Sequence, residues 1–185
     1  MDNTNFAELT KYARIGVMGG TFDPIHYGHL LAAEVAREGF GLDYVLFIPS
    51  GRPPHKDAGG VSDAESRYEM TRLAVAGEPR FGVSRMETDR VGDTYTIDTM
   101  RALRSQLPDA ELYFITGADA LNEIETWHDY RELLRMCGFI AVTRPGYNDE
   151  KLRRQVAAFN RDLGSAIHFL EISAFPGKHS IMAGS

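Results

Sequence analysis

The stretch "VMGGTFDPIHYGHLLAA", residues 17–33, begins at the end of an apolar run, breaks at Gly19 and Gly20, and closes on a segment of helical character. Strand, glycine turn and helix in that order form the unit from which parallel α/β sheets are built. His26 and His29 stand where the helix begins. Three readings compete for them: a phosphate cradle, a metal site, or a glycine-rich turn with incidental histidines. The cradle has a physical basis. A helix amino terminus at the carboxyl edge of a parallel sheet offers free N–H groups and a positive dipole to an anion. Gly19 and Gly20 let the backbone turn sharply and approach a ligand closely. Two histidines are too few for a zinc site, and no cysteine or carboxylate stands beside them at ligand spacing. The stretch matches neither GxGxxG nor GxxxxGK[ST], so hydride transfer and P-loop hydrolysis lose their main support.

The remaining sequence extends the strand–helix alternation. Short apolar runs at Ile15–Met18, Tyr44–Ile48, Phe81–Ser84, Leu112–Thr116, Phe139–Thr143 and Ile167–Ile172 read as buried strands. Helical patterns lie between them. Ser62-Asp63-Ala64-Glu65 reads as a capping box, followed by Met70, Leu73 and Ala74 on one face, with Arg67 and Arg72 on a solvated one. Asn148 is placed to cap a helix that carries the core stripe Leu152, Val156, Phe159 and Leu163. Strands alternating with helices predict an α/β fold, a Rossmann-like, doubly wound parallel sheet with helices on both faces. Residues 14–172 form the expected single domain, preceded by a polar extension (1–13) and followed by a divergent or truncated tail (173–185). The segment Ser50–Val61, rich in Gly, Pro and charge, reads as a mobile active-site loop.

Composition sets the outer bounds. The 185 residues are 43% hydrophobic and 25% charged, ordinary globular values that indicate neither disorder nor a membrane protein. A net charge of −6 argues against a nucleic-acid partner. The single cysteine, Cys137, excludes an internal disulfide and fits a reducing compartment. The amino terminus lacks the apolar centre of a signal peptide, and no apolar run approaches a membrane span. A cytoplasmic protein is expected, with no membrane partner. Homo-oligomer formation is left open.

Two blocks then carry a resemblance. Gly19-Gly20-Thr21-Phe22-Asp23-Pro24 followed by His26-Tyr27-Gly28-His29 resembles the signature of the HxGH nucleotidyltransferase superfamily, and more closely the bacterial nicotinate-nucleotide adenylyltransferases. Further blocks stand in the family's order: Phe47–Lys56 (FIPSGRPPHK), Thr94–Thr99 (TYTIDT), Ile115–Leu121 (ITGADAL), Trp127 and Val142–Tyr147 (VTRPGY). The resemblance implies adenylyl transfer from ATP to nicotinate mononucleotide, with magnesium accompanying ATP. It implies that His26 and His29 donate to ATP phosphates, and that Gly19, Gly20, Thr21, Phe22 and Asp23 meet both substrates. Lys56 and Arg144 are implied as further positive charges. Thr94 and Tyr95 would offer backbone amides to the nicotinate carboxylate, and Trp127 would stack on its ring. Asp119 would lie near the ATP ribose, the alternative being a helix cap, and Gly117 joins the substrate-binding residues. His55 joins the candidates in the flexible loop.

One block departs from the family. An ISSTxIR segment is expected after the last strand, but Ile172-Ser173 is followed by Ala174-Phe175-Pro176-Gly177, and no arginine follows Arg161. Lys178 and His179 are partial substitutes at best, because neither offers arginine's bidentate fork. On this reading ATP is bound weakly. Two alternatives follow: a catalytically weak mononucleotide-binding form of the fold, or a related nucleotidyltransferase with another phosphorylated acceptor.

Overall fold

The computed structural model describes residues 4–52 and 60–172, and the backbone of 179–182. Its strands are β1 (Arg14–Gly20), β2 (Tyr44–Pro49), β3 (Phe81–Val83), β4 (Glu111–Gly117), β5 (Gly138–Thr143), β6 (Ile167–Ile172) and β7 (His179–Met182). They form one sheet in the order β3-β2-β1-β4-β5-β6-β7. The first six are the strands expected from the apolar runs, and all pair in parallel. The fold expectation holds. Within the segment read as a tail, β7 adds an antiparallel edge to β6, with Ile172 opposite His179. Residues 173–178 and 183–185, including Lys178 and the ISSTxIR position, lie outside the described residues, as do His55 and Lys56.

Alternation along each strand sorts the core into two layers. Ile15, Val17, Leu112, Phe114, Phe139, Ala141, Ile167 and Phe169 face one side. There they meet α4 (Thr96–Gln106), α6 (Tyr130–Met136) and α7 (Glu150–Asp162) through Ile97, Met100, Leu103, Leu133, Leu134, Leu152 and Val156. Met18, Val45, Phe47, Ile115, Ile140 and Leu170 face the other, under α2 (Tyr27–Phe40) and α3 (Ala64–Val75). Ahead of β1 the polar segment is anchored: α1 (Phe6–Leu9) buries Leu9, and Tyr12 stacks on Tyr44 at 5.4 Å.

Two local expectations are corrected. In α3 the N-cap is Asp63, whose carboxylate accepts from the Ser66 N–H at 2.8 Å, while Glu65 pairs with Arg85. The face turned inward is Arg67, Tyr68, Thr71 and Val75; Leu73 is 62% exposed and Ala74 is also exposed. Hydropathy alone assigned the outer face to the core because the inner stripe contains an arginine and a threonine. In α7 the cap is Asp149, which accepts from Leu152 N–H at 3.0 Å, in place of Asn148. Leu152 and Val156 are buried as expected, with Phe159 and Leu163 packed against them.

The inward face of α3 can be tested by unfolding in urea. Leu73→Asn should change stability by no more than about 0.5 kcal/mol, the usual range for a surface substitution. Tyr68→Ala should cost about 3 kcal/mol, the scale of a truncated core aromatic.

Candidate active site

β1 is the strand at which the order of the sheet reverses, flanked by β2 and β4. In such sheets ligands bind beyond the carboxyl ends of the strands at that point. Two clefts open there and share Gly19, Gly20 and Thr116. The smaller, about 300 Å³, is also lined by Thr21, Ser50, Glu87, Thr94, Tyr95, Phe114, Trp127 and His128. The larger, about 510 Å³, is lined by Phe22, His26, His29, Gly117, Val142, Thr143, Arg144 and Ile172.

The glycines act by close approach. Both finish β1 and neither has a positive φ. A Cβ on Gly19 would sit 3.2 Å from the Phe114 ring, and one on Gly20 3.0 Å from the Phe22 ring. The positive φ falls instead on Phe22, at 49°. Its buried ring meets His29 edge-on at 5.1 Å and Phe47 at 5.9 Å, a site that stabilises an otherwise costly backbone conformation.

His26 is the N-cap of α2. Its Nδ1 accepts from the Gly28 N–H at 3.1 Å, and the His29 Nδ1 accepts from the His26 N–H at 3.1 Å. The two rings stack with centroids 3.8 Å apart. An Nδ1 that accepts carries no proton, so each neutral ring holds its proton on Nε2. The local fold therefore sets both tautomers as Nε2–H donors. Burial and the neighbouring His26 push the pKa of His29 below the ordinary histidine range.

In the smaller cleft Trp127 is half-buried, edge-on to Phe114 at 6.0 Å, so it belongs to the core margin and to the cleft wall together. Beside it His128 stacks on Tyr95 at 4.1 Å. Tyr95 is the N-cap of α4 without a side-chain cap bond. The Thr94 amide, expected to be open to a ligand, already donates to the Arg52 carbonyl at 3.2 Å. Glu87 is buried in the cleft wall and accepts from the Thr99 hydroxyl at 2.6 Å. Burial pushes its pKa up, against hydrogen bonds from Thr99 and Thr94 that lower it.

Other expected residues divide. Thr21 lines the smaller cleft, and Phe22, Gly117 and Arg144 line the larger. Asp23 lines neither; its carboxylate accepts from the Ser62 N–H at 2.9 Å, bracing the turn. Asp119 also lines neither cleft. It lies exposed in the first turn of α5 (Ala118–Leu121), whose N-cap is Gly117, so the capping alternative is not realised. Of Ser50–Val61, Ser50 reaches the smaller cleft, while residues 53–59 are not described. Among the described residues no group of three or more His, Cys, Asp or Glu side chains could hold a metal, and no helix is long and apolar enough to cross a membrane.

Sequence reasoning missed Glu87 and His128. No periodicity marks Glu87; adjacency to Trp127 was the available signal for His128. It also placed Arg67 in solvent, whereas this side chain is 1% exposed.

Residues 17–176 match a family model described as cytidylyltransferase-like. A nicotinate-nucleotide adenylyltransferase of Moorella thermoacetica is 53% identical over 167 residues, 90% of this chain and 77% of the relative. The chain belongs to the nicotinate-nucleotide adenylyltransferase family. A Corynebacterium kroppenstedtii relative of the same name is 49% identical over 89% of this chain and 75% of its own. A Plasmodium falciparum nicotinic acid mononucleotide adenylyltransferase, solved in complex with APC, superposes with a TM-score of 0.67. At 17% identity over 86% of this chain and 75% of that one, it shares the fold. Within this family the paired clefts and the histidine cap are the features to explain.

The lowered pKa of His29 has a consequence for stability. An unfolded histidine takes a proton below about pH 6.5, while the folded ring resists it, so the unfolded state binds more protons there. Stability should therefore decline as pH falls below about 6.5, and His29→Asn should decline less. Urea midpoints of both proteins between about pH 7.5 and 5.5 check the sign.

Proposed function

We propose that this chain transfers the adenylyl group of ATP to nicotinate mononucleotide, giving deamido-NAD and pyrophosphate. The observation that carries this reading is the meeting of two unlike clefts at Gly19, Gly20 and Thr116. One has aromatic walls suited to a flat ring. The other is lined by two histidines and an arginine suited to a polyphosphate. Substrates seated in each would bring their phosphates together over the shared glycines.

An oxygen of the acceptor's 5′-phosphate attacks the α-phosphorus of ATP. A P–O bond forms, the bond from the α-phosphorus to the bridging oxygen breaks, and pyrophosphate leaves. A phosphate monoester is largely dianionic at neutral pH, its second pKa being about 6, so the attack needs no general base. What the protein must supply is alignment and stabilisation of growing charge. The Nε2–H groups of His26 and His29 supply fixed donors, and Arg144 an exposed cation, in the larger cleft. Trp127 stacks on the acceptor ring, and amides at the start of α4 receive its carboxylate. Magnesium belongs to this proposal as the companion of ATP, where it would neutralise triphosphate charge. A cytoplasmic location is part of the same reading. The family relationship favours it over a weak mononucleotide-binding protein or a transferase with another acceptor.

Incubation with ATP, magnesium and a panel of phosphorylated acceptors, followed by pyrophosphate release, tests the proposal. Nicotinate mononucleotide should be used well ahead of nicotinamide mononucleotide; no release with either overturns the reading. His29→Ala should lower kcat/KM by at least ~10²-fold, the scale of one lost donor to transition-state charge. Trp127→Ala should raise the KM for the acceptor and leave the KM for ATP nearly unchanged, as steady-state kinetics would show.

A further inference from the structure

Arg67 is the largest fully buried side chain of the described residues, and it is a cation. Its Nε donates to the Ser62 carbonyl at 2.8 Å. One terminal nitrogen donates to the carbonyls of Thr21, at 3.0 Å, and Ser50, at 2.5 Å, with the Ser50 hydroxyl at 3.4 Å. The other donates to the Gly51 carbonyl at 2.6 Å. These four carbonyls belong to three separate segments: the turn after β1, the exit from β2, and the entry to α3. Thr21 and Ser50 line the smaller cleft, and Phe22, next to Thr21, lines the larger.

We propose that Arg67 is a positioning residue for adenylyl transfer, holding the turn after β1 against the exit of β2 so that both clefts keep their register. The proposal rests on the function argued above. Its physical basis is the planarity of the peptide bond, which points C=O and N–H in opposite directions. Drawing the Thr21 carbonyl toward the guanidinium turns the Phe22 N–H away from it. Drawing the Ser50 and Gly51 carbonyls inward does the same for the amides of Gly51 and Arg52. The fixed fork of five N–H donors is required, because four carbonyls from three segments share one guanidinium. A lysine has three donors at a single point and reaches fewer of them. Burial lowers the pKa of Arg67 and the carboxylates of Asp23 and Asp63 raise it; an arginine remains charged there. The cation also stands directly behind the turn on which phosphates are to be placed.

Arg67→Lys and Arg67→Ala, assayed beside the wild-type enzyme, test this. Arg67→Lys should melt cooperatively yet lose at least tenfold in kcat, with each KM changed less than threefold. Arg67→Ala should recover activity several-fold in millimolar guanidinium chloride, and not in methylammonium or sodium chloride, because only guanidinium reproduces the planar fork. Folded Arg67→Lys with kcat within twofold of wild type overturns the proposal. So does activity of Arg67→Ala that merely follows its folded fraction and ignores guanidinium, or loss of cooperative folding in both variants. An inactive wild-type enzyme would instead count against the proposed function itself.

Discussion

The parallel pairing of β1 with β2 on one side and β4 on the other governs the rest of the molecule. A parallel partner cannot be reached by a tight turn, so the chain must cross over a face of the sheet each time. From β1 the chain crosses through α2 to β2; on the far side α6 and α7 carry it from β4 to β6. The segments leaving β1 and β4 therefore diverge over opposite faces, and a gap remains above their carboxyl ends. Both clefts are parts of that gap, divided by the glycines that end β1.

Above the gap, backbone groups fix the side chains around them. The cap of α2 uses two imidazoles in place of the usual hydroxyl or carboxylate, and each gives its Nδ1 to a backbone amide. The same bonds that terminate the helix select the tautomer of the rings. Arg67 does the complementary task on the carbonyl side, gathering four C=O groups and leaving the facing amides turned outward. A buried cation would ordinarily be costly, and here carbonyl dipoles replace the water it has lost, with the charges of Asp23 and Asp63 adding attraction.

The walls of the smaller cleft show a different economy. Trp127 presses its edge on Phe114, which also meets Phe139 at 5.4 Å. The cleft wall is thus an extension of the core, and rigidity there comes from packing. Tyr95 and His128 stack at the mouth, while Glu87 and Thr99 form a buried polar bond behind it. Arg90 donates to the same Thr99 hydroxyl at 3.1 Å, so that oxygen is both donor and acceptor.

Much of this was legible in one dimension. Runs of β-branched and aromatic residues marked the six parallel strands because a strand buried on both faces must be apolar almost throughout. Gly19 to His29 marked the site because closely approached glycines and a polar helix start leave few substitutes. Which face of α3 turns inward was not legible, since Arg67 is inside only by virtue of acceptors brought from positions 21, 50, 51 and 62, and Thr71 beside it donates back to the Arg67 carbonyl. The role of Asp23 depended in the same way on an amide 39 residues away. The burial of Glu87 depended on a hydroxyl supplied by α4. The sequence by itself determined the order of strands and helices, because local periodicity and turn chemistry suffice for that. Only the tertiary structure decided where the buried polar groups lie, because a polar side chain enters the interior when the fold delivers its hydrogen-bond partners.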